Sequence, residues 1–383
     1  MRFKCERQTL GFEFMEQTKD IVPVMVTSLA CQKSGKAGAY IASLDVLRIV
    51  AVFAVIWIHI MESGPLGETT IWCRFAVPAF TAVSVFLMTL SIKQKSVISV
   101  LNWAPKRAWS IYRLFLIWNA VYFIARLVKH LFVSEGHGIG LGFSSLFVVG
   151  LVGHLWYLPF LSLVGIGLAL PVRGFIRLKL LPAMAATILL VLAGLFAAQL
   201  AMSIQVDKQH HPLTYFGFLA LSTFPAALFA FPVAWLWNQR PSLGCNFAGV
   251  ATSLILAGLC LYASLHSQQA NLWHNLAGVS FLLAALSCSG ASFGDHVRFL
   301  GELALPVYLV HPLFIDGLQA IGDHWRIGSS ACFQTAVFVM TVCGSFLIAY
   351  SLSRNRWLSW TVSTRPIQRR ADTHPKDGMS KTF

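Results

Sequence analysis

The residues best suited to chemistry lie in one long apolar stretch, LDVLRIVAVFAVIWIHIMESG, from Leu44 to Gly64. Arg48 stands near its start and His59 near its end. An arginine suits the binding of phosphate groups, and a histidine suits proton transfer because imidazole exchanges protons near neutral pH. A helix turns about 100° per residue, so the eleven steps between them bring both side chains to one face, about 16 Å apart.

Asp45 and Glu62 extend the same polar stripe along this helix. An ionisable side chain within a membrane span costs several kcal/mol unless it faces the interior of the helix bundle or water. The stripe therefore indicates either a functional site or a buried face whose charges pair with neighbouring helices. Asp45 is expected to lie too far from His59 to orient it, so Glu62 or a residue of another helix would do so.

Two further groups of polar residues are predicted to lie at defined depths. At the depth of His59, toward the outer side, we expect Arg74, His154, Trp156, Tyr308 and His311. Either of the two histidines alone could be an interfacial residue, but their agreement in depth with His59 favours a shared site. At the inner side we expect a basic cluster of Lys106, Arg107 and Arg113, which could hold anionic lipid headgroups or the phosphates of a nucleotide.

The elements that must position these residues are membrane helices. The chain has 383 residues, of which 56% are hydrophobic and 11% are charged, whereas about 25% of the residues in a soluble domain are charged. We predict an all-α polytopic membrane protein with about ten transmembrane helices. The predicted spans are 44–62, 71–92, 109–128, 154–172, 181–204, 213–237, 246–266, 272–290, 297–316 and 331–352. Pro159 in the fourth span, and Pro225 and Pro232 in the sixth, predict kinks.

The distribution of lysine and arginine predicts that both termini are cytoplasmic. Of the 29 basic residues, 22 fall in the predicted inner segments, three in outer loops and four within spans. This bias follows the positive-inside rule, and it also accounts for the net charge of +14 without nucleic-acid binding. None of the eight cysteines forms a C-x-x-C pair, so no disulfide framework and no metal site are predicted.

Three regions follow from this organisation. Residues 1–39 are predicted to be a cytoplasmic extension without fixed structure. Residues 40–352 form the ten-helix membrane domain, in which the Gly- and Ser-rich segment 138–153 could be re-entrant or interfacial. Residues 353–383 form a basic cytoplasmic tail, which is also expected to be disordered.

Four motifs, in order along the chain, resemble those of the acyltransferase 3 family of integral membrane proteins. The stretch LDVLRIVAVFAVIWIH resembles the first-helix signature of the family, in which a basic residue and a histidine are separated by ten residues. RFAVPAFTAVSVFLM, from Arg74, resembles the second helix of the family. HLWYLPFL, from His154, resembles a family motif of the form His-Leu-Trp-Phe/Tyr-Leu. PVYLVHPLF, from Pro306, resembles an element of a late helix. The resemblance covers about residues 40–352.

The resemblance implies a membrane enzyme that moves an acyl group, commonly acetyl, from cytoplasmic acyl-coenzyme A to a hydroxyl of a cell-surface carbohydrate. It implies an O-acyltransferase of the bacterial inner membrane that uses acetyl-CoA as a donor substrate and holds no permanent cofactor. His59 matches the essential histidine of the family, and Arg48 its paired basic residue. Motif positions also correspond to Arg74, His154, Trp156, Tyr308 and His311.

The chain departs from the family pattern at four positions. Ser110 stands where a second arginine is often found, and Arg113 where a proline is common. Val85 replaces the glycine of the second-helix element, and Ala304 replaces a serine before the late tyrosine. The first two changes affect the basic pair expected for coenzyme A, for which Arg113 could substitute.

These observations predict direct acyl transfer, with His59 as the general base, Glu62 as the residue that orients it and Arg74 as the oxyanion donor. Coenzyme A would be bound by Arg48, Lys106, Arg107 and Arg113, and the acceptor, a surface glycan or lipid-linked sugar, by His154, Trp156, Tyr308 and His311. A polytopic transporter of an anionic solute or a lipid-linked intermediate is the main alternative. A non-catalytic component of glycan or lipid assembly is a further one.

Overall fold

Helices account for all regular secondary structure in the part of the chain that the computed structural model describes. That part is residues 40–62, 64–133, 145–204, 211–239, 246–289, 291, 293–325, 330–355 and 357–364. The predicted extension 1–39 lies outside it. The helices are α1 Ala42–Met61, α2 Ala76–Ile92, α3 Val97–Val133, α4 Tyr157–Gly167, α5 Ala169–Phe175, α6 Leu180–Ser203, α7 Pro212–Gln239, α8 Phe247–His266, α9 Ala270–Ser287, α10 Asp295–His324 and α11 Ala331–Arg354.

The prediction of an all-α polytopic membrane protein is confirmed. Among the described residues, eight helices are long and apolar enough to cross a membrane, or nine if the bent pair α4–α5 is one span. Each of the ten predicted spans coincides with a helix or with that pair. Among the predicted spans, α9 is not apolar enough to count as a membrane-crossing helix, because its first turns carry the polar residues Asn271, His274 and Asn275.

The break in the fourth predicted span does not lie at its proline. The α4–α5 pair bends by 51° at the break between Gly167 and Ala169, whereas Pro159 lies in the first turn of α4, where a missing N–H costs little. Helix α7 continues through both Pro225 and Pro232.

A side-chain amide from α9 hydrogen-bonds to backbone groups of α7 beside Pro225. The Oδ1 atom of Asn275 accepts from the N–H of Ala226 at 3.1 Å, and its Nδ2 donates to the carbonyl of Ser222 at 2.6 Å. The amide thus bridges two backbone groups that are four residues apart, as an intact helical turn would. A neighbouring helix can satisfy backbone groups near a proline in this way, which explains why a polar residue is buried in α9.

Helix α1 occupies the centre of the bundle and packs on α2, α9, α10 and α11. Its apolar face is buried through residues such as Val52, Ile56 and Ile60. The two helices α1 and α10 approach each other closely where Asp45 faces Gly301, because a Cβ atom at position 301 would lie only 2.3 Å from the Cβ of Asp45. The small residue therefore allows the polar stripe of α1 to lie against α10.

Residues 357–364, which follow α11, pack against α3 and are named here the C-terminal strap. The indole Nε1 of Trp118 donates to the carbonyl of Thr361 at 2.8 Å, and Val362 is buried in the core. The expectation that this part of the tail is disordered is therefore wrong, because the strap buries an apolar residue and bonds to α3. Residues 365–383 lie outside the described part.

Candidate active site

Three histidines from three separate segments meet near the carboxyl end of α1. His59 comes from α1, His154 from the segment before α4, and His311 from α10. The ring centroids of His59 and His311 are 5.6 Å apart, those of His59 and His154 6.0 Å, and those of His154 and His311 5.1 Å. The structure thus brings together the three histidines that the sequence placed at one depth.

The three rings differ in their access to solvent. His154 and His311 are buried. His59 is densely surrounded by protein atoms, yet its side chain is exposed to solvent. His59 is therefore the ring of the cluster that is accessible from outside the bundle.

A proline fixes the orientation of His311. Pro312 has no N–H to donate to the carbonyl of Tyr308, four residues earlier, which is left without its usual helical partner. The Nδ1 atom of His311 bonds to this carbonyl at 2.8 Å. A carbonyl only accepts, so Nδ1 carries the proton, and in the neutral ring Nε2 is an acceptor. This Nε2 is buried and has no hydrogen-bond partner among the described residues.

His154 is held through its backbone, which leaves its ring free to interact with other groups. The hydroxyl of Tyr308 donates to the carbonyl of His154. Before it, Gly150 adopts a left-handed φ of +89°, and Asn119 of α3 accepts from the N–H of Leu151 at 2.8 Å. Both ring nitrogens of His154 are buried and have no partner among the described residues. The cluster therefore has unused hydrogen-bonding capacity toward a ligand.

Two tyrosines extend the cluster toward the amino end of α1. The rings of Tyr308 and Tyr157 are 6.1 Å apart, and Tyr308 also lies 5.2 Å from His154. Tyr157 lies within electrostatic range of Arg48 and near the hydroxyls of Thr81 and Ser84, although none of its contacts has standard hydrogen-bond geometry. A column of polar aromatic rings thus connects the region of Arg48 with the histidines.

Arg48 forms an ion pair within its own helix. Its Nη1 atom lies 2.8 Å from Oδ1 of Asp45, and the two side chains are 32% and 6% exposed. Asp45 is therefore a partner of Arg48, consistent with the expectation that it does not orient His59. The guanidinium keeps part of its surface open toward solvent.

Glu62 and Arg74 form a second pair at the carboxyl end of α1. Oε1 of Glu62 lies 3.7 Å from Nη2 of Arg74, and both side chains are well exposed. Glu62 lies within electrostatic range of His59. Glu62 nevertheless forms its ion pair with Arg74. The side chains that flank the ring of His59 are therefore those of His154 and His311.

Trp156 is not part of the histidine cluster. It is buried, and its ring contacts are with Tyr157 and Phe160, at 6.1 and 5.7 Å between centroids. Trp156 thus packs on the side of α4, while its sequence neighbour Tyr157 faces Tyr308.

The basic cluster on α3 contacts the C-terminal strap. Nη1 of Arg107 donates to the hydroxyl of Thr364 at 3.0 Å, and Nη2 of Arg113 contacts the carbonyl of Ser363 at 3.5 Å. Lys106 is exposed, and Nε of Arg113 is buried without a partner among the described residues. Arg48 lies on α1, whose main packing partners are α2, α9, α10 and α11 and not α3.

Four site residues were not identified from the sequence: Tyr122, Tyr157, Tyr215 and His274. Tyr122 lies beside His154 at 5.8 Å and donates to the carbonyl of Leu309 at 2.6 Å. Tyr157 belongs to the HLWYLPFL motif and could have been identified from it. Tyr215 lies in a largely apolar helix and His274 among the polar residues of the first turns of α9, and neither position belongs to one of the four motifs.

The described residues contain no group of three or more His, Cys, Asp or Glu side chains arranged to hold a metal ion. The three imidazoles, with one accessible ring, are instead arranged for proton transfer and hydrogen bonding. The fold and the site together define an integral membrane protein with a histidine cluster near one end of its bundle.

Comparison with known proteins identifies the family. A family model described as an acyltransferase domain matches residues 41–350, and the chain belongs to the acyltransferase 3 family. The protein is therefore a membrane acyltransferase. This result favours the enzymatic hypothesis over the transporter. No curated protein and no solved structure matches the chain.

Proposed function

We propose that this membrane acyltransferase is an O-acyltransferase that transfers an acetyl group from cytoplasmic acetyl-CoA to a hydroxyl of a surface glycan or lipid-linked sugar. The observation that supports this most directly is the solvent-accessible imidazole of His59, flanked by two buried histidines. The proposed location is the bacterial inner membrane, with both termini cytoplasmic, as the distribution of basic residues favours.

In this orientation the amino end of α1 faces the cytoplasm, where acetyl-CoA is available. Arg48 is partly exposed at that end and could contact a phosphate while Asp45 holds its other side. Lys106, Arg107 and Arg113 would add positive charge from α3 for the nucleotide part of the donor. The thioester would then extend along the column formed by Tyr157 and Tyr308 toward the histidines.

At the cluster, the acceptor hydroxyl attacks the thioester carbonyl while His59 removes its proton as general base. A carbon–oxygen bond forms, and the tetrahedral intermediate collapses with cleavage of the carbon–sulfur bond. The coenzyme A thiolate leaves and takes up the proton from the imidazolium of His59. Arg74 would stabilise the oxyanion of the intermediate, and His154, Tyr308 and His311 would hold the acceptor.

The proposal is tested with the full chain in lipid nanodiscs, by measuring coenzyme A release from acetyl-CoA with methyl glucoside as the acceptor. His59→Gln should lower this rate by about 10²- to 10⁴-fold, the range for loss of a general base, without a change in acetyl-CoA binding. The matched control is His266→Gln, at an exposed histidine of α8. Equal rates in the wild type and His59→Gln would contradict the assignment of His59, and no release from the wild type in the presence of the acceptor would contradict the proposed transfer from acetyl-CoA to a neutral sugar.

A further inference from the structure

A second polar cluster lies just beyond His59, at the carboxyl end of α1. It consists of four side chains from four segments: Glu62, Arg74, Tyr215 of α7 and His274 of α9. Glu62 pairs with Arg74 at 3.7 Å and lies within electrostatic range of Tyr215. Arg74 in turn lies within electrostatic range of His274. These interactions connect the four side chains to one another and, through Glu62, to His59.

His274 is the buried member of this cluster. It is only 3% exposed and bonds to the backbone of Ile71. Its Nε2 atom is buried and has no hydrogen-bond partner among the described residues. A buried polar atom without a partner is destabilising, so a partner supplied by a ligand would account for its retention.

The ion pair itself contributes little to folding. Arg74 and Glu62 are 48% and 63% exposed, and ion pairs this exposed add little to the stability of a protein. Their exposure leaves carboxylate acceptors and guanidinium donors open to a ligand. The two opposite charges largely cancel, so the cluster lacks the excess of positive charge that an anionic ligand would require.

The chemistry of these groups matches a neutral polyhydroxylated ligand. A carboxylate accepts from hydroxyl groups, a guanidinium donates to their oxygens, and an imidazole nitrogen can do either. Tyr215 is half-buried, and its ring adds an apolar surface against which a sugar ring can pack.

We propose that Glu62, Tyr215 and His274 form, beside the oxyanion donor Arg74, a binding subsite for a neutral sugar unit of the acceptor, next to His59. This inference rests on the proposed function, because it specifies how the acceptor is held. A sugar bound here would present a hydroxyl group to the accessible imidazole of His59. Tyr215 and His274 are then residues that determine acceptor specificity, while the donor is bound elsewhere.

Binding is tested without catalysis by saturation-transfer NMR on the full chain in nanodiscs. The probes are methyl glucoside, methyl galactoside and methyl N-acetylglucosaminide, with glucuronate as the anionic comparison. The neutral glycosides should receive saturation from the wild type, and the signal should fall about tenfold in Tyr215→Ala and in His274→Gln, as expected when a contact of about 1.4 kcal/mol is lost. The matched controls are Tyr262→Ala and His266→Gln, at exposed positions of α8, and they should retain the signal.

Absence of transfer to every neutral glycoside, a stronger signal from glucuronate, or an equal loss in the control variants would overturn the subsite. A kinetic measurement distinguishes failure of the subsite from failure of the proposed function. With a neutral glycoside as acceptor, Tyr215→Ala and His274→Gln should raise the acceptor KM about tenfold and leave the KM for acetyl-CoA unchanged. A parallel rise in both KM values would also overturn the subsite. A wild type that binds the glycosides but releases no coenzyme A would contradict only the proposed function.

Discussion

The Nδ1 atom of His311 bonds at 2.8 Å to the carbonyl of Tyr308, which Pro312 leaves without a helical partner. This bond sets the tautomer of His311 and directs its Nε2 away from its own backbone. Because the rings of His311 and His59 are 5.6 Å apart, the orientation of one affects the surroundings of the other. Pro312 of α10 therefore influences the orientation of His311 by leaving a backbone carbonyl free to accept its hydrogen bond.

Pro312→Ala should lower kcat by about tenfold, because the restored N–H competes with His311 for the carbonyl of Tyr308 and loosens the ring. The KM for acetyl-CoA should not change. The measurement is steady-state coenzyme A release in nanodiscs. The control is Pro306→Ala in the same helix, where the freed carbonyl is that of Glu302. Equal effects of the two substitutions would show that His311 is not held in this way.

Arg48→Gln should raise the KM for acetyl-CoA by about tenfold, because a charge-assisted contact to a phosphate is lost. The effect should disappear when the donor is acetylpantetheine, which lacks the phosphates of coenzyme A. Arg298→Gln is the matched control. Arg298 also pairs with a carboxylate of its own helix, that of Glu302 at 3.5 Å, but its side chain is well exposed. An equal loss with both donors would mean that Arg48 does not bind phosphate.

Removal of the C-terminal strap should raise the KM for acetyl-CoA several-fold, because the strap holds the guanidinium groups of Arg107 and Arg113. Two truncations separate the strap from the charges that follow it. Ending the chain after Thr364 keeps the strap, and ending it after Asn355 removes it. Identical KM values for the two truncated chains would contradict a positioning role of the strap.

Gly301→Ala should destabilise the bundle by about 1–3 kcal/mol, because the new methyl group would lie 2.3 Å from the Cβ of Asp45. The measurement is thermal unfolding in detergent. Gly317→Ala in the same helix is the control, since no atom lies within 4 Å of the added Cβ and alanine is the better helix former. A lower stability of Gly317→Ala than of Gly301→Ala would contradict the close approach of α1 and α10.

The sequence was sufficient for the features that depend on local periodicity and composition. The apolar runs predicted the helices, since a membrane span must satisfy its backbone groups internally. The helical repeat placed Arg48 and His59 on one face, and four motifs in order identified the family that the comparison then showed. The common depth of His59, His154 and His311 also followed from their positions along the spans.

The tertiary structure decided which side chains meet, because contacts between helices depend on packing and not on sequence distance. Packing paired Glu62 with Arg74, placed Trp156 against α4 and brought Tyr215 within electrostatic range of Glu62 and His274 within that of Arg74. It also bound the C-terminal strap to α3 across about 250 residues of chain, a contact that no local pattern encodes. The sequence alone thus determined that His59 and Arg48 share one helix face, and only the packed bundle determined which residues surround each of them.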